Sequence, residues 1–166
     1  MARPLVLPNS RHFRRPPASR VPGLGRRSPP GSRFGIVASR FNPEITDRLV
    51  QGAVGFFREK RVPASRVEVV RVPGAFELPI AALRLARSGR YRAVVALGCI
   101  LKGETPQYGY LSEATFQGLM LAGVLSGVPV TSGVVTAQSW KLAKARSSGR
   151  LNRGREAAAA AWEMAR

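Results

Sequence analysis

The sequence predicts an α/β fold, a parallel sheet covered by helices on both faces. Three observations carry the prediction. From Phe34 onward, short apolar runs alternate with longer amphipathic segments, the rhythm of repeated strand–helix–strand units. Helical connections of that length imply right-handed crossovers, which make the strands they join parallel. The run from Ala93 to Leu101 is apolar almost throughout instead of alternating, as a strand buried on both faces must be.

The first strand is Phe34-Gly-Ile-Val-Ala-Ser. After Arg40-Phe41-Asn42-Pro43, the spacing predicts a helix with Ile45, Leu49, Ala53 and Phe57 on one face, ending before Pro63. Arg66 to Val72 reads as the second strand, closed by Pro73-Gly74. A second helix carries Leu78, Ile80, Ala81 and Leu85 and stops near Ser88-Gly89. Ala93 to Leu101 is the third strand, and Pro106 to Val128 the third helix. Its start carries Thr105-Pro106, a hydroxyl suited to capping free N–H groups followed by a proline suited to the first helical position. Val130 to Thr136 is the fourth strand, and two helices follow at about 139–147 and 154–165. The last is alanine-rich, with Arg155 and Glu163 expected on its exposed side. The third helix is apolar on more than one side (Leu119, Leu121, Ala122, Val124, Leu125), more than one sheet face needs, which predicts a homo-oligomer.

The 166 residues, 45% of them hydrophobic, suffice for one well-buried domain, expected over 34–166. Residues 1–33 hold eight arginines, no acid and many prolines, glycines and serines, so they are expected to be disordered. Three readings of this stretch compete: an organelle transit peptide, which its prolines argue against; a basic arm for polyanions; and an extension from a start codon set too far upstream, which is the preferred one. The net charge of +18 falls to +10 in the remainder, with 19 basic against 9 acidic side chains. That remainder lacks a basic helix or interleaved aromatics, so a solvated arginine-rich surface is preferred over nucleic-acid recognition, which is left to the tail alone. No apolar run reaches the roughly 20 residues that span a bilayer, so no membrane role is expected. The single Cys99 suits a reducing, cytoplasmic setting and reads as a buried thiol in a strand, ahead of a reactive nucleophile. With no Cys/His cluster, a zinc site is not expected.

Chemistry is expected at the rim where the strands end, because ligands of open α/β sheets bind outside the carboxyl ends of the strands. The first loop offers Phe41 and Asn42, the second Gly74-Ala75-Phe76-Glu77, and the third Lys102 to Gln107. Lys102, a glycine and the positive end of the third helix together favour an anion such as phosphate. Phe41, Phe76 and Ile100 supply apolar faces for a flat ring. Glu77 suits either a sugar hydroxyl or the start of the second helix, and both readings stay open. The only histidine is His12, so acid–base chemistry near pH 7 would fall to Glu, Lys, water or the substrate.

From Phe34 to Arg166 the chain resembles the 6,7-dimethyl-8-ribityllumazine synthase family. Five stretches carry the resemblance in order: Phe34-Gly-Ile-Val-Ala-Ser-Arg-Phe-Asn, Val72-Pro-Gly-Ala-Phe-Glu-Leu-Pro, Gly98-Cys-Ile-Leu-Lys-Gly-Glu-Thr-Pro, Gly133-Val-Val-Thr and Asn152-Arg-Gly-Arg-Glu-Ala-Ala. The resemblance implies a flavodoxin-like three-layer sandwich on a four-stranded parallel sheet. It implies homopentamers with sites between subunits, in many members gathered into a sixty-subunit shell. The reaction implied joins 5-amino-6-(D-ribitylamino)uracil to 3,4-dihydroxy-2-butanone 4-phosphate, without a metal or redox cofactor.

Carried over, Phe41 would stack on the pyrimidine, and Ala75, Phe76 and Glu77 would meet the ring and ribityl chain. Cys99, Ile100 and Leu101 would line the pocket with backbone groups. Glu104, Thr105 and a neighbouring subunit's Arg146 would hold the phosphate, as paired guanidinium hydrogen bonds allow. Three positions depart from the family. Its proposed proton-transfer His is Gln107, within Gln107-Tyr108-Gly109-Tyr110, where the family has His-Phe-Asp-Tyr. A ring-sandwiching Phe is Ser132, and a Lys is Arg153, beside a one-residue deletion. These changes imply a slowed enzyme or, as the alternative, a container protein of the same fold with little or no catalysis.

Overall fold

The computed structural model describes residues 33–166. The tail, with its three readings and His12, lies outside the described residues, apart from Arg33, which already belongs to the first strand. In chain order the elements are β1 (Arg33–Ser39), α1 (Pro43–Glu59), β2 (Val67–Val72), α2 (Leu78–Arg87), β3 (Tyr91–Leu101), α3 (Gln107–Ser126), β4 (Val130–Ala137), α4 (Trp140–Arg146) and α5 (Arg153–Met164). Two 3₁₀ turns that periodicity does not signal, Ala64–Arg66 and Gly149–Leu151, link α1 to β2 and α4 to α5.

All pairings are parallel, in the order β2-β1-β3-β4. This is the expected three-layer α/β sandwich. Strand β3 is central and buried along nearly its whole length, which is why its sequence shows no alternation. Strands β2 and β4 are edges. β2 keeps Glu68 and Arg71 among its valines, charges that discourage pairing with another sheet.

Each face of the sheet has its own core. On one, α1 and α5 pack Ile45, Leu49, Phe57, Ala158 and Ala161 against Ile36, Val95 and Leu97. Phe34 stacks on Phe57 with ring centroids 4.5 Å apart. On the other, Leu78 and Ala82 of α2 and Leu119 and Ala122 of α3 cover Val37, Val94, Ala96 and Val134. The α1 face is the one expected. In α2 the buried line is Leu78, Ala82 and Ala86, one every turn, while Ile80 lies exposed. Ile80, two positions from Leu78, projects far round the helix from that line. Arg155 keeps its guanidinium at the surface, doubly bonded to Glu59 at 2.7 and 2.6 Å.

Helix α3 closes at Gly127, whose φ of 67° suits glycine at a C-terminal cap. Beyond its buried line it exposes Phe116, Met120, Leu121, Val124 and Leu125. The two-sided apolar character read from the sequence is therefore present on the surface of the protomer.

Candidate functional site

The strand order creates a crevice before any side chain is considered. The chain leaves β1 to build β2 on one side, then returns across the sheet to build β3 and β4 on the other. The loops after β1 and β3 therefore diverge to opposite faces, and a gap opens between them. A cavity of about 600 Å³ fills that gap.

Phe41 and Asn42 form one wall, directly after β1. Asn42 takes a left-handed conformation (φ 54°), which asparagine tolerates better than most residues, and its Nδ2 donates to the Cys99 carbonyl at 3.1 Å. That bond ties the first loop to β3. The Phe41 N–H donates to the Pro73 carbonyl at 3.2 Å, which ties it to the second loop as well. Ala75 and Phe76 contribute the second wall, and Cys99, Ile100 and Leu101 the floor.

Phe41 is 70% exposed and Phe76 66% exposed. Leaving a ring in water forgoes about 1.5–3 kcal/mol of burial, so two aromatic rings held open at one cavity mouth mark a surface suited to a flat ligand.

Lys102, Gly103 and Thr105 line the far side, with Gln107, Tyr108 and Leu111 from the first turns of α3. The helix-start expectation needs correction here. Pro106 is itself the N-cap, in helical conformation, and no side chain caps the helix. Thr105 therefore stands one position too early for its hydroxyl to cap and lies exposed on the cavity wall instead. The first N–H groups of α3 are left without side-chain partners beside Lys102, an arrangement that favours an anion.

Glu77 does not line the cavity. It sits half-buried at the N-cap position of α2, and its Oε2 accepts from the Gly74 N–H at 2.8 Å, which braces the turn carrying Phe76. The reading of Glu77 as an acid at a helix start is thus the one the geometry displays. Glu104 is exposed in the third loop, outside the lining residues.

Three other candidates stand away from the cavity of their own protomer. Ser132 is exposed on β4, paired in register with Ala96, so it lies roughly 16 Å short of the rim where β3 ends. Arg146 is exposed at the end of α4 and has no carboxylate partner among the described residues. Arg153 opens α5 and is paired with Glu156 at 2.6 Å.

Cys99 is buried, as expected of a strand thiol. Loss of hydration on burial raises its pKa to about 11, and the neighbouring Asn42 amide only partly opposes this. It is therefore a protonated wall of the site near neutrality, not a nucleophile. Among the described residues no group of three or more His, Cys, Asp or Glu is placed to hold a metal ion, and no helix is long and apolar enough to cross a membrane.

Asn42, Gly74, Lys102 and Gly103 lie at the rim as the sequence reading offered them, whereas Tyr108 and Leu111 were not selected as site residues. A signal for these two was available in the 107, 108, 111 spacing, which puts three side chains on one helix face.

Comparison with known proteins agrees with this geometry. The family described as 6,7-dimethyl-8-ribityllumazine synthase matches residues 31–166. A protein of that name from Xylella fastidiosa (strain M12) is 44% identical over 137 residues, covering 82% of this chain and 89% of its own length. One from Xanthomonas oryzae pv. oryzae (strain PXO99A) is 42% identical over the same shares. Caulobacter vibrioides 6,7-dimethyl-8-ribityllumazine synthase 1 is 45% identical over 127 residues, 76% of this chain and 83% of its own. With the sheet order, the cavity and these relatives in agreement, the chain belongs to the 6,7-dimethyl-8-ribityllumazine synthase family.

Proposed function

We propose that this protein joins 5-amino-6-(D-ribitylamino)uracil to 3,4-dihydroxy-2-butanone 4-phosphate, giving 6,7-dimethyl-8-ribityllumazine, phosphate and water, as a cytoplasmic step of riboflavin biosynthesis. The observation that carries the reading is a half-built site: one protomer supplies the aromatic walls, the floor and the anion-favouring loop, while Arg146 stands exposed elsewhere.

In this reading protomers join as a homopentamer, with a sixty-subunit shell as the larger form. The apolar α3 surface supplies contact area, and Ser132, Arg146 and Arg153 complete a neighbour's cavity. Phe41 and Phe76 hold the pyrimidine, while the ribityl hydroxyls meet the Ala75–Glu77 turn. Lys102, Thr105, the α3 N-terminus and the neighbour's Arg146 hold the phosphate, with Glu104 at the edge of the loop.

The amine of one substrate attacks the ketone of the other, and water leaves as the imine forms. Phosphate is then eliminated, and ring closure with loss of a second water completes the product. The residues of the site contribute chiefly by holding two reactive partners in register, an effect worth several powers of ten on its own. Gln107 donates and accepts hydrogen bonds but cannot shuttle a proton, so turnover is slow.

A second reading is favoured by the same positions. With Gln107 and Ser132 at the site and both cores intact, the chain is suited to act as a shell-forming container with little or no catalysis. Mixing the two substrates and following lumazine fluorescence separates the readings. Product formation above the uncatalysed rate supports the enzyme; its absence in correctly assembled particles leaves the container. A riboflavin titration then distinguishes a flavin-binding particle from a bare shell.

A further inference from the structure

Helix α4 has only seven residues, too few to be stable alone, so its C-terminal turn has to be pinned from outside. That turn ends in Arg146, followed by Ser147, of which 1% is exposed. The pin is Asn152. Its Nδ2 donates to the Ser147 carbonyl at 2.7 Å and to the Arg48 carbonyl of α1 at 3.0 Å. Its Oδ1 accepts from the Arg155 N–H at 3.0 Å, capping α5. One amide thus joins the end of α4, the core helix α1 and the start of α5. A second, lighter brace runs from Arg48 Nη1 to the Ser148 hydroxyl at 3.3 Å.

A cap alone would not require this residue type. Serine or aspartate caps a helix as well as asparagine does, but at this length only asparagine adds two N–H donors to the capping oxygen. Both donors are used, one of them on the residue that follows Arg146. The backbone of Arg146 is therefore referenced to the core while its guanidinium projects into solvent without a carboxylate partner.

We infer that Asn152 is a positioning residue for Arg146, setting where the guanidinium stands and hence how tightly a phosphate is held in the pocket shared between protomers. The inference rests on the phosphate-binding reading of Arg146 proposed above.

The test uses the full-length assembled protein and equilibrium binding, so it does not depend on turnover. Calorimetry gives Kd for 3,4-dihydroxy-2-butanone 4-phosphate, for inorganic phosphate and for 5-amino-6-(D-ribitylamino)uracil. Asn152→Ala removes the whole device. Asn152→Ser keeps a capping oxygen and loses the two donors, so it serves where the alanine variant does not fold. Either change is expected to weaken both phosphate compounds about fivefold, the factor to which roughly 1 kcal/mol converts, and to leave uracil binding unchanged. Arg155→Ala, which cuts the α5 ion pair with Glu59, is expected to alter neither affinity. Phosphate binding that is unchanged in a folded Asn152 variant overturns the inference, and so does an equal loss for all three compounds. Arg146→Ala separates the two levels. If it leaves phosphate binding intact, the reading of Arg146 fails; if it weakens binding while the Asn152 variants do not, only the positioning role fails.

Discussion

Position 107 is where the proposed reaction is expected to depend most on a single side chain. Gln107 lies on the cavity wall, where an imidazole would reach the same space and titrate near neutrality. General acid–base help is worth about 10²–10⁴-fold, so Gln107→His is expected to raise the rate of lumazine formation by at least about tenfold. The gain should bring a new inflection in the pH–rate profile near pH 6–7, the range of an ordinary imidazole. An unchanged rate and profile would remove proton transfer from this position. Cys99 gives a second expectation. Its thiol is raised from the ordinary 9.0 to about 11. Below pH 9 both folded and unfolded thiols keep their proton, and the group adds no pH dependence. Between pH 9 and 11 only the unfolded thiol ionises, so stability falls as pH rises. Denaturant unfolding at pH 8 and pH 10.5 should therefore show a larger loss for the parent than for Cys99→Ala. Both residues could be found in the sequence, one as a departure from a pattern and the other as a thiol inside an apolar run. Asn42 could be placed at the rim, but not its bond to the Cys99 carbonyl, which spans 57 positions and depends on the left-handed turn that aims it.

The elements follow closely from local rules, and the misses mark where tertiary contact overrode them. β3 and α1 were legible because a continuous apolar run and a strict helical stripe each leave one arrangement. The α3 start was misread because Thr-Pro is compatible with two frames, and the chain takes the one in which Pro106 is the N-cap. The 3₁₀ turn at Gly149–Leu151 carries no hydrophobic period, so nothing in the sequence announced the corner that brings Asn152 over α1. Helix α5 docks on α1 at Gly154, where an added Cβ would run into the Leu49 carbonyl. Backbone cannot yield as a flexible side chain does. Gly154→Ala is expected to destabilise the fold by about 1–3 kcal/mol, read as a lower denaturant midpoint with the slope unchanged. A shift within a few tenths of a kcal/mol would mean that the two helices separate easily.

For the whole molecule, charge and apolar surface point in different directions. The net charge of +18 resists close approach of like chains, while the α3 face presents a strip that water disfavours. Val124, 73% exposed on that strip, packs against nothing in its own protomer that would require an apolar residue. Val124→Glu is therefore expected to leave the monomer fold intact and reduce the assembled fraction, measured by sedimentation or light scattering. Assembly equal to the parent's would move the subunit contact elsewhere on the surface. The parallel sheet and the rim where its loops gather were legible in the strand–helix rhythm, whereas the order β2-β1-β3-β4 was not. The split of candidate residues between the cavity and the outer surface was not, since a single chain's pattern does not state which copy a side chain serves.

The fit between Gly52 and Asn152 limits how this protein can change over generations. A Cβ at residue 52 would collide with the Asn152 carboxamide. Accommodating even an alanine there means displacing that amide, at the expense of its bonds to the Ser147 and Arg48 carbonyls. Substitution at residue 52 is therefore expected to be felt at the corner that Asn152 holds.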